Sequence, residues 1–123
     1  MFEITGIAQY ADAARSALRA HPRDIRYSNL GQCHGLSGLG EIYLEAAGVL
    51  GDDIWLDRAG RIGEVLLELA RDDGRGITWL VEDPFRATAD LMIGCAGVAH
   101  FLLRLRHDEL SAPLLPRARK ART

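Results

Sequence analysis

The residues in this sequence that are best suited to chemistry are a cysteine and a histidine in direct succession, Cys33 and His34. A thiolate and an imidazole are ligands that Zn²⁺ accepts in tetrahedral geometry. Gly35 follows at once and allows the backbone turn that two adjacent ligands need. The pair also precedes a predicted helix, and the partial positive charge of a helix N-terminus favours a thiolate. The pair is therefore a candidate for part of a metal site.

Two ligands do not complete a zinc site, because a catalytic zinc usually has three protein ligands and one open position. The candidates for a third ligand have no ligand-like spacing to the pair: Asp12, Asp24, Glu41, Cys95, His100 and His107. The competing interpretation is a buried cysteine beside a capping or surface histidine. A Cys33 nucleophile with a histidine base is a further possibility, although neighbours in sequence rarely come into hydrogen-bonding contact. Local sequence leaves these interpretations open.

The elements that must position this pair are helices. Apolar periodicity, glycines and prolines predict helices over residues 7–20, 36–49, 54–73 and 94–106. Asp52 or Asp53 is expected to cap the third of them. The segment ITWLVED is interpreted as an extended connector without a strand partner, which places Trp79 against a helix. The predicted fold class is all-α.

Each predicted helix has an apolar face that we expect to be buried. The residues of these four faces are Ile7, Tyr10, Ala14 and Leu18; Leu36, Leu39, Ile42, Tyr43 and Ala46; Leu56, Ala59, Ile62, Val65, Leu66 and Leu69; and Val98, Phe101, Leu102 and Leu105. Cys95 is expected to be a small core residue. His100 is expected at the solvent or the rim, while His21 and His107 lie at helix ends, where their charged forms complement the dipole.

Length and charge limit the classes of protein to which this chain can belong. Its 123 residues suggest one domain or a piece of one, and the formal net charge of −2 favours neither nucleic acid nor an anionic membrane. No apolar run reaches about 18 residues, so no membrane span is expected. Without a secretory signal, and with two cysteines, a cytoplasmic location is expected. The basic residues 117–123 are expected to form a disordered tail.

A glycine-containing pattern occurs twice, at residues 35–44 (the first copy) and 94–103 (the second copy). GLSGLGEIYL and GCAGVAHFLL share two glycines, then an aliphatic, a small, a polar and three large residues. The copies lie 59 residues apart, and each begins a predicted helix after a long loop. Repeats of this kind stack so that each buries its neighbour's face. Met92 and Ile93 align with Cys33 and His34, so the pair is an addition to the scaffold.

Taken together, these motifs resemble the C-terminal part of the lanthionine synthetase C-like family, which comprises peptide cyclases and the cyclase domains of lanthipeptide synthetases. CHGLSG at residues 33–38 matches the family's Cys-His-Gly-Leu-Ala/Ser-Gly pattern. Residues 92–105 resemble the last-repeat pattern, with Cys95 replacing the usual leucine, and APLLP at residues 112–116 resembles the end of the multidomain enzymes. Residues 1–116 are accordingly expected to be the C-terminal segment of such a domain.

The resemblance implies a fold, a metal and a reaction. The family fold is an α/α toroid of two concentric helical rings, of which this chain would form the last two or three hairpin repeats. The resemblance makes Cys33 and His34 two zinc ligands and expects the third, a cysteine, from an upstream motif. In the family, a zinc-bound thiolate of a ribosomal precursor peptide adds to dehydroalanine or dehydrobutyrine and forms a thioether ring.

Two family motifs have no counterpart in this sequence. No cysteine precedes Cys33, and the family's Gly-x-Ala-His-Gly motif, with its acid-base histidine, is absent. We therefore expect an incomplete zinc site, no cyclase activity by the chain alone, and an upstream polypeptide that completes the toroid. The alternative is a truncated, non-enzymatic helical module that binds a partner chain through its exposed ring edge. A different α/α toroid is a third hypothesis, but we find no catalytic carboxylate pair for it.

Overall fold

The computed structural model describes residues 1–22 and 29–107, which are 59% helical, and the all-α prediction is confirmed. The elements in chain order are α1 (Phe2–Thr5), α2 (Ala8–Ala20), α3 (Leu36–Leu50), α4 (Asp53–Glu68), β1 (Arg71–Asp72), β2 (Ile77–Thr78) and α5 (Cys95–Arg106). No helix within the described ranges is long and apolar enough to cross a membrane. The tail predicted at residues 117–123 lies outside the described residues.

Helices α3 and α4 form a hairpin that contains most of the core. Gly51 ends α3 with a left-handed φ of 72°, and its N–H donates to the carbonyl of Ala47 at 3.0 Å. Asp52 occupies the N-cap position of α4, as predicted, although its carboxylate binds Arg15 instead of the helix backbone. The buried residues of the hairpin that pack together are Leu36, Tyr43, Ala46, Trp55, Ala59, Ile62 and Leu66.

The segment after α4 corrects one prediction. A strand partner for ITWLVED does exist, because β2 pairs antiparallel with β1. Helix α4 ends at Glu68 rather than at residue 73, which leaves the chain extended before Gly74, whose φ of 78° helps it to turn back. The predicted position of Trp79 is confirmed. This side chain is 6% exposed, and its Nε1 donates to the carbonyl of Leu66 at 2.7 Å.

Helix α2 corrects a second prediction, because most of its apolar face is exposed. Three of the four residues expected to be buried are exposed, namely Ile7, Tyr10 and Ala14. Polar contacts attach the helix instead. The Arg15 guanidinium donates to the Asp52 carboxylate at 2.8 Å and to the Leu50 carbonyl at 3.0 Å. An amphipathic pattern shows which side a helix can bury, but burial also needs a neighbouring element, and none covers this side within the described residues.

The expected buried faces of α3, α4 and α5 are largely confirmed, with three exceptions. Ile42, Leu56 and Leu69 are 48%, 44% and 36% exposed. At 100° per residue, Ile42 and Leu56 lie at the margins of their apolar stripes, and Leu69 follows the last residue of α4. Helical periodicity locates the centre of a buried stripe more sharply than its edges.

Helices α3 and α5 approach closely at Gly40. A Cβ added there would collide with the ring of Phe101. A charge cluster lies between the same two helices and consists of Glu41, Glu45, His100 and Arg104. Within it Arg104 is 5% exposed and pairs with both glutamates, while His100, partly exposed as expected, has its Nδ1 2.9 Å from Glu41 Oε1. Buried charges of this kind are tolerated because each has a partner.

Candidate metal centre

The Cys33–His34 pair lies in a turn, residues 29–35, that folds back over the first turn of α3. Three N–H groups of the helix donate to carbonyls seven residues earlier at 3.1–3.2 Å: Leu36 to Asn29, Ser37 to Leu30, and Gly38 to Gly31. A helix N-terminus leaves these N–H groups without intrahelical partners. The turn satisfies them with backbone atoms, so its course does not depend on the side chains at positions 33 and 34.

The turn that precedes the second copy of the pattern holds the same turn from the other side. The Met92 carbonyl accepts from the N–H of Gln32 at 2.9 Å and from the N–H of Cys33 at 3.0 Å. Gly35 is required where the turn closes on itself, since an added Cβ would collide with the side-chain oxygen of Asn29. The backbone that carries the candidate ligands is therefore fixed by both copies.

The two candidate side chains are accessible. The Cys33 thiol is exposed and free, and no hydrogen-bond partner for it occurs among the described residues. The His34 side chain is 56% exposed and takes part in a three-residue contact with Asn29 and Glu82, which we name the His34 triad. Its Nε2 lies 2.6 Å from Asn29 Nδ2 and 3.0 Å from Glu82 Oε1, and Asn29 Nδ2 donates to Glu82 Oε1 at 2.8 Å.

This donor set fits zinc in its chemistry, although it is incomplete. Sulfur and imidazole nitrogen are both common zinc ligands. Because Nε2 of His34 faces Asn29 and Glu82, the other ring nitrogen, Nδ1, is the atom left to bind a metal. A second contact from the ligating histidine to a carboxylate is usual in metal sites.

The structure brings no third ligand to the pair. Within residues 1–22 and 29–107, no group of three His, Cys, Asp or Glu residues could hold a metal ion. The candidates from the sequence are engaged or placed elsewhere: Cys95 with the backbone of Trp79, Glu41 and His100 in the charge cluster, Asp12 with Arg15, His107 at the end of α5, and Asp24 outside the described residues. The expectation of a ligand from another segment stays a prediction.

The interpretation of Cys95 as a small core residue agrees with its surroundings. Its side chain is half-buried and packs against the hydrophobic core. The Sγ donates to the carbonyl of Trp79 and accepts from its N–H, both at 3.3 Å. These contacts anchor the connector that leads to Glu82.

Sequence reasoning did not identify Asn29 and Glu82 as contacts of His34. Asn29 reads only as a turn residue, and Glu82 follows His34 by 48 positions in a segment without a motif. No local signal marks Glu82, since only folding brings its carboxylate to the imidazole. The position of Asn29, four residues before Cys33, is the one hint the sequence contains.

An all-α chain with a repeated glycine turn and a Cys-His pair at a helix N-terminus is a helical-repeat protein with a candidate metal centre. The family model described as "Lanthionine synthetase C-like protein" matches residues 1–118. The chain therefore belongs to the lanthionine synthetase C-like family, as its motifs predict. Members of this family generally bind zinc, and the helices here are consistent with part of the family's α/α toroid. The search of curated proteins gave no match.

Proposed function

We propose that this chain is the C-terminal part of a lanthionine synthetase C-like peptide cyclase domain, with Cys33 and His34 as two of its zinc ligands. The observation that carries the proposal is the accessible Cys33–His34 turn at the N-terminus of α3, in a chain of this family. The family suggests a peptide substrate. We further propose that the protein acts in the cytoplasm on a ribosomal precursor peptide.

The proposed reaction adds a peptide cysteine thiolate to dehydroalanine or dehydrobutyrine. A C–S bond forms at the β-carbon and the α-carbon takes up a proton, which gives the thioether ring. Zinc, when bound, would lower the pKa of the substrate thiol and orient it. Cys33 and His34 would hold the metal, and the Met92 carbonyl would keep their turn in place. A third ligand would come from an upstream polypeptide that also completes the toroid.

Zinc binding by the full chain tests the ligand assignment. Because two ligands leave the site incomplete, weak binding is expected for the wild type. The variant Cys33→Met/His34→Ile carries the residues that precede the second copy, so it should fold normally and lose this binding. We expect its free energy of unfolding without zinc to stay within about 0.5 kcal/mol of the wild type, as for exposed substitutions.

The matched control is His107→Gln, which removes an exposed histidine distant in sequence from the turn and should leave zinc affinity unchanged. Chelator competition measures the affinities, and urea titration measures stability. Equal zinc affinity in the wild type and in Cys33→Met/His34→Ile would contradict the assignment of these ligands.

Cyclase activity tests the proposal that the site is incomplete. The chain alone, incubated with a dehydrated peptide, should form no thioether ring. The reading frame directly upstream should encode a Trp/Tyr-Cys-x-Gly motif, and coexpression with its product should raise both zinc content and ring formation. Ring formation by the isolated chain would show that the site is complete without a partner.

The second candidate is a non-enzymatic helical module that binds a partner chain through its exposed edge. Three consecutive apolar residues favour it, since Leu91, Met92 and Ile93 are 38%, 39% and 41% exposed. The same coexpression separates the candidates. A stable complex that contains no zinc and is unaffected by Cys33→Met/His34→Ile would support the non-enzymatic module.

A further inference from the structure

The contact between α3 and α5 fits a large residue of one helix against a small residue of the other. Phe101 of α5 is fully buried, and a Cβ added at Gly40 of α3 would collide with its ring. We name this arrangement the repeat contact. In it, the helix of the first copy supplies the small residue, and the helix that lies one repeat later supplies the large one.

Each helix also has, on its other side, the residue for a further repeat contact. The equivalent of Phe101 in α3 is Ile42, and the equivalent of Gly40 in α5 is Ala99. In both helices the small and the large residue are two positions apart, which is about 200° around an α-helix. The small and the large residue of each helix therefore lie on opposite sides.

These outward sides of α3 and α5 are apolar and accessible. Ile42 is 48% exposed, whereas its equivalent Phe101 is fully buried. On α5, Leu103 lies one helical turn after the partly buried Ala99 and is 54% exposed. The described part of the molecule thus presents two complementary halves of a repeat contact, a large residue on α3 and a small residue with an apolar neighbour on α5.

Charge favours a second molecule of the same chain as the occupant of these surfaces. Glu41 meets His100 and Glu45 meets Arg104, and both pairs join residues 59 positions apart, so α3 and α5 run parallel and in register. In the same relation, α5 of one molecule would again set a histidine and an arginine opposite the two glutamates of α3 in the next. Two α3 helices would instead bring glutamates against glutamates.

We propose that this chain self-associates head to tail, with Ile42 of one molecule packed against Ala99 and Leu103 of the next. The sizes match, because the larger of the two small residues, Ala99, meets the smaller of the two large ones, Ile42. Such a contact joins two different surfaces, so it leaves a free half at each end and can continue beyond a dimer. Self-association requires no metal and stands apart from the proposed function, although an upstream polypeptide would compete for the same surfaces.

Sedimentation velocity of the full chain across a concentration series measures the association. The wild type should rise above the monomer mass of 13.5 kDa. Ile42→Asp and Leu103→Asp should each weaken association at least about tenfold, because an unpaired carboxylate is costly to bury. Leu67→Asp, at an exposed leucine of α4, is the control and should match the wild type. A wild type that stays monomeric throughout, or equal association in all variants, would overturn the proposal.

A mixture of the two variants tests the head-to-tail arrangement. Ile42→Asp keeps its α5 surface and Leu103→Asp keeps its α3 surface, so each has one intact half. Each should be monomeric alone, and together they should form a 1:1 pair that grows no further, which would also show that both are folded. A mixture that stays monomeric would contradict a contact between two different surfaces.

An exchange of sizes tests the fit without adding charge. Ile42→Phe should weaken association, because Ala99 leaves less room than the glycine of the repeat contact. In Ile42→Phe/Ala99→Gly the small residue that a phenylalanine needs is restored, and association should return. Failure to recover would count against the contact. A chain that is monomeric alone but binds a coexpressed upstream polypeptide through Ile42 would assign this surface to that partner and refute self-association.

Discussion

The two copies of the glycine-containing pattern have the same backbone hydrogen bond before their helices. In the first copy, the N–H of Leu36 donates to the Asn29 carbonyl at 3.1 Å, and in the second, the N–H of Cys95 donates to the Thr88 carbonyl at 2.8 Å. The donor and the acceptor of the second copy each lie 59 residues after their counterparts in the first. The second glycine of each copy also has the same role, because a Cβ on Gly38 or Gly97 would collide with a carbonyl oxygen of the turn.

The copies differ where metal chemistry is proposed. Cys33 and His34 lie in the turn before the first copy, and Met92 and Ile93 lie in the equivalent turn before the second. Backbone atoms hold the first turn, and backbone atoms together with the Asp90 carboxylate hold the second. Neither turn depends on the side chains at these positions, so we expect those side chains to be free to change without loss of the fold. The comparison teaches that a stable turn at a helix N-terminus can carry candidate ligands in one repeat while the equivalent turn of its neighbour carries apolar residues.

The charge cluster also follows the repeat. His100 contacts Glu41 and Arg104 contacts Glu45, and each pair joins residues separated by 59 positions. Equivalent positions can meet in this way when α3 and α5 lie side by side, in the same direction and in register. The ion pairs therefore connect corresponding positions of the two copies.

Among variants that test this comparison, Arg104→Ala is expected to lower the free energy of unfolding most. The variant would leave Glu41, which is 8% exposed, without its buried cationic partner. Removing one member of a buried ion pair typically costs about 3–5 kcal/mol. Urea unfolding should show a loss of this size. Arg106→Ala, an exposed arginine of the same helix, is the control, and equal losses in the two variants would refute a role for the cluster.

Alanine at the equivalent glycines should cause the next largest loss in the free energy of unfolding. Gly38→Ala and Gly97→Ala each force a methyl group against a backbone carbonyl, which we expect to cost about 1–3 kcal/mol in either copy. Gly60→Ala meets nothing within 4 Å in α4 and should stabilise slightly. Thermal or urea unfolding measures all three. A clear loss in only one copy would break the structural equivalence.

The smallest effect on stability is expected from loss of the Arg15–Asp52 ion pair, where α2 meets the α3–α4 hairpin. The hydrogen bond from Arg15 lowers the pKa of the Asp52 carboxyl and raises the pKa of Arg15 itself. Because the folded-state pKa of Asp52 is depressed, this stabilisation is present above the unfolded value of about 3.9 and is lost as the pH falls through the folded value.

Asp52→Asn should therefore be slightly less stable than the wild type at pH 7, with the two urea midpoints converging below about pH 4. The variant Asp53→Asn, at the exposed neighbouring position, should not show this convergence. A stability difference for Asp52→Asn that persists unchanged into acid would contradict the assigned ion pair.

Local patterns predicted much of the fold. The four long helices follow from apolar periodicity and from glycines at their ends, since these properties act within a few residues. The repeat predicted that Cys33 and His34 are dispensable for the scaffold, and the backbone contacts of the turn support this. The exposure of Ile7 and Tyr10 could not be predicted, because burial depends on which elements lie next to a helix.

The features of the candidate site likewise divide into those contained in local sequence and those that need the tertiary structure. The sequence by itself determined the all-α class, the family, and the adjacent thiol and imidazole of Cys33 and His34, because each is contained in short, contiguous motifs. Only the tertiary structure decided that Glu82 contacts His34 and Asn29, and that Glu41 and Glu45 pair with α5. Those contacts join residues 48 to 63 positions apart, so they exist only after α3, α5 and the anchored connector have packed.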